Sequence, residues 1–252
     1  MEHKYSRLHL GGLWSVVAKP ANARTGSCAL LLFLHGAAER GNATGSSLPL
    51  VLKHGPWRTK DLDNVMVLAP QCPHTQTWPA ITLQVLHLIE AFVAKYRRVD
   101  PNKCVLSGLS MGAFGCWSLL SVAPHQFMAV ISICGGFPPL QQPQPRLCDL
   151  LNQASTKMTG KEIRTWRKSA SRVRAWLFHG TRDGVVGAKA SRQVYKVLHT
   201  RKRKKHDVRL TLYAKAGHSI WKRAHQGEAS ARRQRRRSAP SLKRSQKAHT
   251  PR

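Results

Sequence analysis

Apolar, β-branched runs alternate with segments of helical periodicity between residues 13 and 213, and few folds satisfy that alternation other than a mostly parallel sheet with helices on its faces. Candidate strands are Leu13–Ala18, Ala29–Leu34, Val65–Ala69, Lys103–Ser107, Met128–Ile133, Arg174–Phe178 and Val208–Tyr213. Between them Val85, Leu88, Ile89, Phe92, Val93 and Tyr96 recur at helical spacing, as do Ala190, Val194, Val197 and Leu198, which marks two amphipathic covering helices. A third helix, from Ser110 to about Val122, carries Phe114, Cys116, Trp117, Leu119 and Leu120 nearly all round and is expected to be the most buried.

Two regions break the pattern. From Phe137 to about Val173 the chain turns Pro- and Gln-rich and then polar, which reads as a surface insertion or cap. From Lys222 onward almost no large apolar residue remains to offset the entropy of ordering. The expected organisation is therefore one domain over residues 1–221, with 137–173 as an inserted piece, and a disordered basic tail over 222–252.

The formal charge is +31, and the tail contributes +10 of it, from eleven Lys or Arg against Glu228. Residues 1–221 keep +21, a field that favours anionic partners and carries no information about fold. Arg201–Lys205 is a run of five basic residues and Arg232–Arg237 holds five arginines; both read as solvated surface, or as contacts to nucleic acid or an acidic membrane surface. Six cysteines, at 28, 72, 104, 116, 134 and 148, show no C-x-x-C pair and no zinc-ligand spacing, so they read as reduced thiols and no metal is expected. Met1–Leu10 does not read as a signal peptide, and the longest apolar run, Cys28–Leu34, is about a third of the ~20 residues of a membrane span. The expectation is a cytoplasmic protein, with nuclear entry through the basic runs as an alternative.

The chemistry lies at Gly108-Leu-Ser-Met-Gly112, which follows the apolar end of a strand and opens the buried helix. Glycines two before and two after Ser110 let strand and helix approach closely while the turn exposes the hydroxyl. A Ser here also suits a plain helix N-cap, so the pentapeptide needs partners. A Ser hydroxyl is a poor nucleophile until a neutral imidazole takes its proton and an acid fixes that imidazole's tautomer. Asp183, after the strand Arg174–Phe178, and His218, after Val208–Tyr213, come in the chain order such a sheet requires. Asp149, Asp207 and Asp63 are the rival acids; His179, His199 and His206 are the rival bases, with His179 placed too early in its loop to reach across the sheet. The anion formed on attack needs backbone donors, for which the N–H of Met111 and that of Ala37, in the loop His35-Gly-Ala-Ala-Glu-Arg-Gly41, are the candidates. Trp78 and Trp221 are candidates to line a substrate pocket, or they pack the core, which is the expected role of Trp117.

LLFLHGAAERG at 31–41, APQCP at 69–73 with Trp78 after it, GLSMGAFGCW at 108–117, CGG at 134–136, HGTRDGVV at 179–186 and AGHSIW at 216–221 together resemble the α/β-hydrolase superfamily. The branch they look like is that of small serine esterases: predicted peptidases, phospholipase/carboxylesterases and polyhydroxybutyrate-depolymerase-like enzymes. The resemblance implies the α/β-hydrolase fold, Ser110 as nucleophile, His218 as general base, Asp183 as its orienting acid, Ala37 and Met111 as oxyanion donors, and no cofactor. Glu39 and Arg40 match a charged pair of that family's loop. The chain departs from the family at Ala38, where a further glycine is usual, in the longer stretch 137–173, and after His218, where the usual covering helix is lost or altered. The implied function is a serine hydrolase cleaving small-molecule or lipid carboxylic esters. The alternative is a catalytically impaired hydrolase fold that binds anions or nucleic acid through its basic loop and tail.

Overall fold

The computed structural model describes residues 5–20, 26–57, 62, 64–138, 146–151, 159–170, 172–199 and 208–225. Eight strands form one sheet: β1 (Tyr5–Leu10), β2 (Leu13–Ala18), β3 (Cys28–Leu34), β4 (Val65–Pro70), β5 (Val99–Leu109), β6 (Ala129–Ile133), β7 (Arg174–Gly180) and β8 (Val208–Tyr213). Their spatial order is β1-β2-β4-β3-β5-β6-β7-β8, with β1 and β2 antiparallel at one edge and every pairing from β4 to β8 parallel. Leu32 pairs with both Leu68 and Leu106 at the sheet centre, where strands covered on both faces read as unbroken apolar runs. This is the α/β-hydrolase architecture the sequence implied.

Among the described residues six helices accompany the sheet: α1 (Thr82–Lys95), α2 (Met111–Val122), α3 (Leu147–Leu151), α4 (Gly160–Ala170), α5 (Lys189–Leu198) and α6 (Trp221–His225). Residues of α1 to α5 join one core on the first face of the sheet, with Phe92, Phe114, Trp117, Trp166 and Val194 all but inaccessible. Burying each of the aliphatic or Phe side chains stabilises the fold by about 1.5–3 kcal/mol. The second face is covered by Leu48 and Val51 from a 3-10 turn, by Trp57, and by Ile220 and Ala224 around α6. On that face Val105, Ile131 and Trp176 stay half-buried.

Three features differ from the sequence reading. β1 was not among the expected strands: it is an edge strand, and Tyr5-Ser-Arg-Leu-His-Leu10 carries charge on a mostly exposed ribbon instead of an apolar run. The stretch expected to be an insertion or cap contains α4, whose Trp166 packs edge-on against Trp117 and Phe137, so part of it is a covering helix. Its few apolar residues hid it. The chain is helical to His225, past the boundary expected at residue 221. Arg201–Lys205, Asp61, Asp63, His206, Asp207 and residues 226–252 lie outside the described residues. Among the described residues no helix is long and apolar enough to cross a membrane.

Candidate active site

β5 ends at Leu109 and α2 begins at Met111, which leaves Ser110 alone in the turn at φ 52°, ψ −119°. A left-handed φ costs a non-glycine residue about 1–3 kcal/mol, so the surroundings must hold it. The Ser110 N–H donates to the Ile133 carbonyl of β6 at 2.8 Å, and its own carbonyl accepts from Ala113 N–H at 2.9 Å. A Cβ on Gly108 would collide with the Gly112 carbonyl, and one on Gly112 with the carbonyls of Leu34 and His35. Both glycines are thus fixed by close backbone approach. The Ser110 hydroxyl makes no cap hydrogen bond, which removes the N-cap explanation of the pentapeptide.

That hydroxyl faces His218, with Oγ 3.0 Å from Nε2, while Nδ1 lies 2.7 Å from Asp183 Oδ2. A carboxylate only accepts, so Nδ1 carries the ring proton and Nε2 is left free to accept from Ser110. Asp183 Oδ1 accepts from the N–H groups of Val185 and Val186, both at 2.9 Å. Burial alone would raise the Asp183 carboxyl; hydrogen bonds from His179, His218, Val186 and Val185 override it and hold the group well below the usual carboxylate range. Asp183 stays ionised at any working pH. The three residues named from sequence therefore meet in space, each on a loop after a parallel strand.

Trp221 opens α6 and sets its ring edge-on against His218, centroids 5.5 Å apart and planes at 87°. Trp78 is different: it is fully buried, and its Nε1–H donates to the His35 carbonyl at 2.9 Å. It braces the loop from within the core of the first face, a correction to its placement beside the substrate.

The loop after β3 is built around His35. Its Nδ1 lies 2.6 Å from the Gly36 carbonyl, and its Nε2 accepts the Cys72 N–H at 3.0 Å, an arrangement only the neutral ring satisfies. Burial pushes His35 down to about 4, and it does the same to His225 in α6. Both unfolded rings take up protons near pH 6.5, so the stability they contribute is full above that pH and is lost as pH falls toward 4. At pH 5 unfolding should absorb nearly two protons from this pair, seen as a urea midpoint that drops steadily between pH 7 and 4. In His35→Gln that slope should be about half as steep. Among the described residues no acceptor is bonded to the N–H of Ala37 or of Met111. Glu39 and Arg40 do not pair with each other: Glu39 is buried 3.7 Å from His54, and Arg40 donates to the carbonyls of Ala37, His74 and Gln76.

The roles of three neighbours, His179, Ser191 and Cys134, escaped the sequence reading. His179 Nε2 lies 3.1 Å from Asp183 Oδ2, its Nδ1 lies 2.7 Å from Ser191 Oγ on α5, and both residues are inaccessible. Cys134 sits at φ 53° after β6 and donates from Sγ to the His218 carbonyl at 3.2 Å. Ligand atoms of Cys134, Asp183 and His218 lie within 4.8 Å of one another, a set in principle able to hold a cation. Burial, with the Asp183 charge beside it, pushes the Cys134 thiol up and keeps it protonated, while Asp183 and His218 are engaged with each other. The donor set suits a hydrogen-bonded relay better than a metal. Asp149 instead caps its own turn, accepting from Arg146 N–H at 2.8 Å.

The sheet and the strained serine turn between β5 and α2 are those of the α/β-hydrolase fold. The chain belongs to the prolyl oligopeptidase family, whose model matches residues 82–235. No curated protein matches it by sequence. Among solved structures it is similar to a thermostable esterase, at 22% identity and TM-score 0.64, over 92% of this chain and 62% of that one. It is similar to an acetyl xylan esterase from Aspergillus awamori, at 13% identity and TM-score 0.66, over 85% of this chain and 94% of the other. An acylaminoacyl peptidase from Pyrococcus horikoshii aligns at 15% identity and TM-score 0.60, over 89% of this chain and 39% of the peptidase.

Proposed function

We propose that this chain cleaves carboxylic esters of small-molecule or lipid substrates through an acyl-enzyme on Ser110. The observation that carries the reading is the unbroken line from Ser110 Oγ through His218 to Asp183, at 3.0 and 2.7 Å. His218 Nε2 takes the hydroxyl proton as Oγ attacks the ester carbonyl, and the anion on the carbonyl oxygen is met by the N–H groups of Met111 and Ala37. The same proton then passes to the departing alcohol oxygen. Water, deprotonated by His218, resolves the acyl-enzyme and returns Ser110 to its starting state. Asp183 keeps its proton off throughout and stabilises the transient imidazolium. Two of the similar structures are a thermostable esterase and an acetyl xylan esterase, which supports an ester as the substrate.

A short-chain ester of a chromophoric alcohol should give a burst equal to the enzyme concentration, followed by slower steady release. The matched anilide should turn over at least 100-fold more slowly, because an amine leaves less readily than an alkoxide. Equal or faster cleavage of the anilide would reassign the chain to peptide-bond hydrolysis.

A further inference from the structure

Asp183 is served by two imidazoles, and the mechanism above uses only one. Its Oδ2 lies 2.7 Å from His218 Nδ1 and 3.1 Å from His179 Nε2. His179 Nε2 also lies 2.8 Å from the Val186 carbonyl, so it faces two acceptors and must carry a proton. Its other nitrogen is 2.7 Å from Ser191 Oγ, which reaches on to the Gly135 carbonyl at 2.8 Å. The ring is thus anchored at both nitrogens, between the loop after β6, helix α5 and the loop that follows β7. Among the described residues Asp183 is the acid that faces His179; Cys134 and His218 lie against that same carboxylate. Every side chain from His179 to Ser191 in this chain of contacts is inaccessible to solvent.

We propose that His179 is a positioning residue that donates to Asp183 Oδ2 and so shares the carboxylate with His218, setting the pH below which His218 stops acting as a base. An acceptor oxygen that receives two N–H donors offers less negative charge to each. Removing the His179 donor would leave the whole charge of that oxygen to His218 and favour its imidazolium. Ser191 fixes the ring so that Nε2 cannot turn away from Asp183. The inference rests on the reading of Ser110 as nucleophile and His218 as its base.

The test is the rate at which a fluorophosphonate labels Ser110, followed from pH 4.5 to 9 in the full-length wild type, His179→Asn and His179→Gln. The amide nitrogen of Gln reaches the place of Nε2, whereas that of Asn reaches only the place of Nδ1. His179→Asn should move the acid-limb midpoint up by about one pH unit and so lower labelling by up to about tenfold at pH values below both midpoints, with labelling near pH 9 little changed. His179→Gln should keep the wild-type midpoint and label within about threefold of wild type. Ser191→Ala, which leaves the ring in place without its anchor, should move the midpoint the same way by less, and it carries the test should His179→Asn not fold. A wild-type midpoint in His179→Asn, or in Ser191→Ala where only that variant folds, makes His179 a packing residue and overturns the proposal while the hydrolase reading stands. A wild-type protein that labels at no pH removes the hydrolase reading and this inference with it.

Discussion

Ser110→Ala should lower single-turnover cleavage of a chromophoric ester by about 10⁶-fold, the loss seen when a triad nucleophile is removed. The hydroxyl is the group that forms the acyl bond, and nothing else described in the turn can replace it: Met111 and Gly112, which follow it, offer only backbone donors. A rate still about 10³-fold above water should remain, because backbone donors at the turn polarise the carbonyl without Ser110. Adding His218→Ala should cost little more. With Oγ gone, the imidazole has no proton to accept from it, so the two losses do not add. A Ser110→Ala protein within tenfold of wild type would place the nucleophile elsewhere.

Gly112→Ala should destabilise the fold by about 3 kcal/mol or more, with a urea midpoint lowered accordingly. The added methyl would meet the carbonyls of Leu34 and His35, and backbone at the centre of a parallel sheet cannot step aside as a flexible side chain could. The remaining freedom is a shift of α2 away from β3, which would carry Ser110 away from His218 Nε2. Activity should therefore fall even in the fraction that folds. Gly187→Ala is the control, since an added methyl there meets nothing within 4 Å; its midpoint should match wild type within about 0.5 kcal/mol. A Gly112→Ala protein as stable as that control would mean that the close approach of α2 and β3 is not required.

The parallel core was legible because strands covered on both faces, such as Leu30–Leu34 and Met66–Ala69, show as apolar runs whatever their tertiary partners. β1 and α4 were not, since an exposed edge ribbon and a helix with a single large buried residue carry little hydrophobic period. Ser110, Asp183 and His218 could be named because the chemistry dictates residue types and the sheet dictates their order. His179 was visible as a residue but misread: it was weighed only as a rival to His218, and its place behind Asp183 depends on how the loop 180–187 folds back on Ser191. Trp78 was misassigned for a similar reason. An indole beside a catalytic loop in sequence lies equally well in front of it or behind it, and here its N–H faces the His35 carbonyl in the core.

Intact-mass and peptide analysis after exposure to a fluorophosphonate probes the central claim most directly. The expected result is one phosphonyl adduct per chain, mapped to Ser110 in the peptide spanning Gly108–Gly112, formed readily at pH 8 and lost in Ser110→Ala. Wild-type protein that remains unmodified, or an adduct that persists in Ser110→Ala, would contradict it.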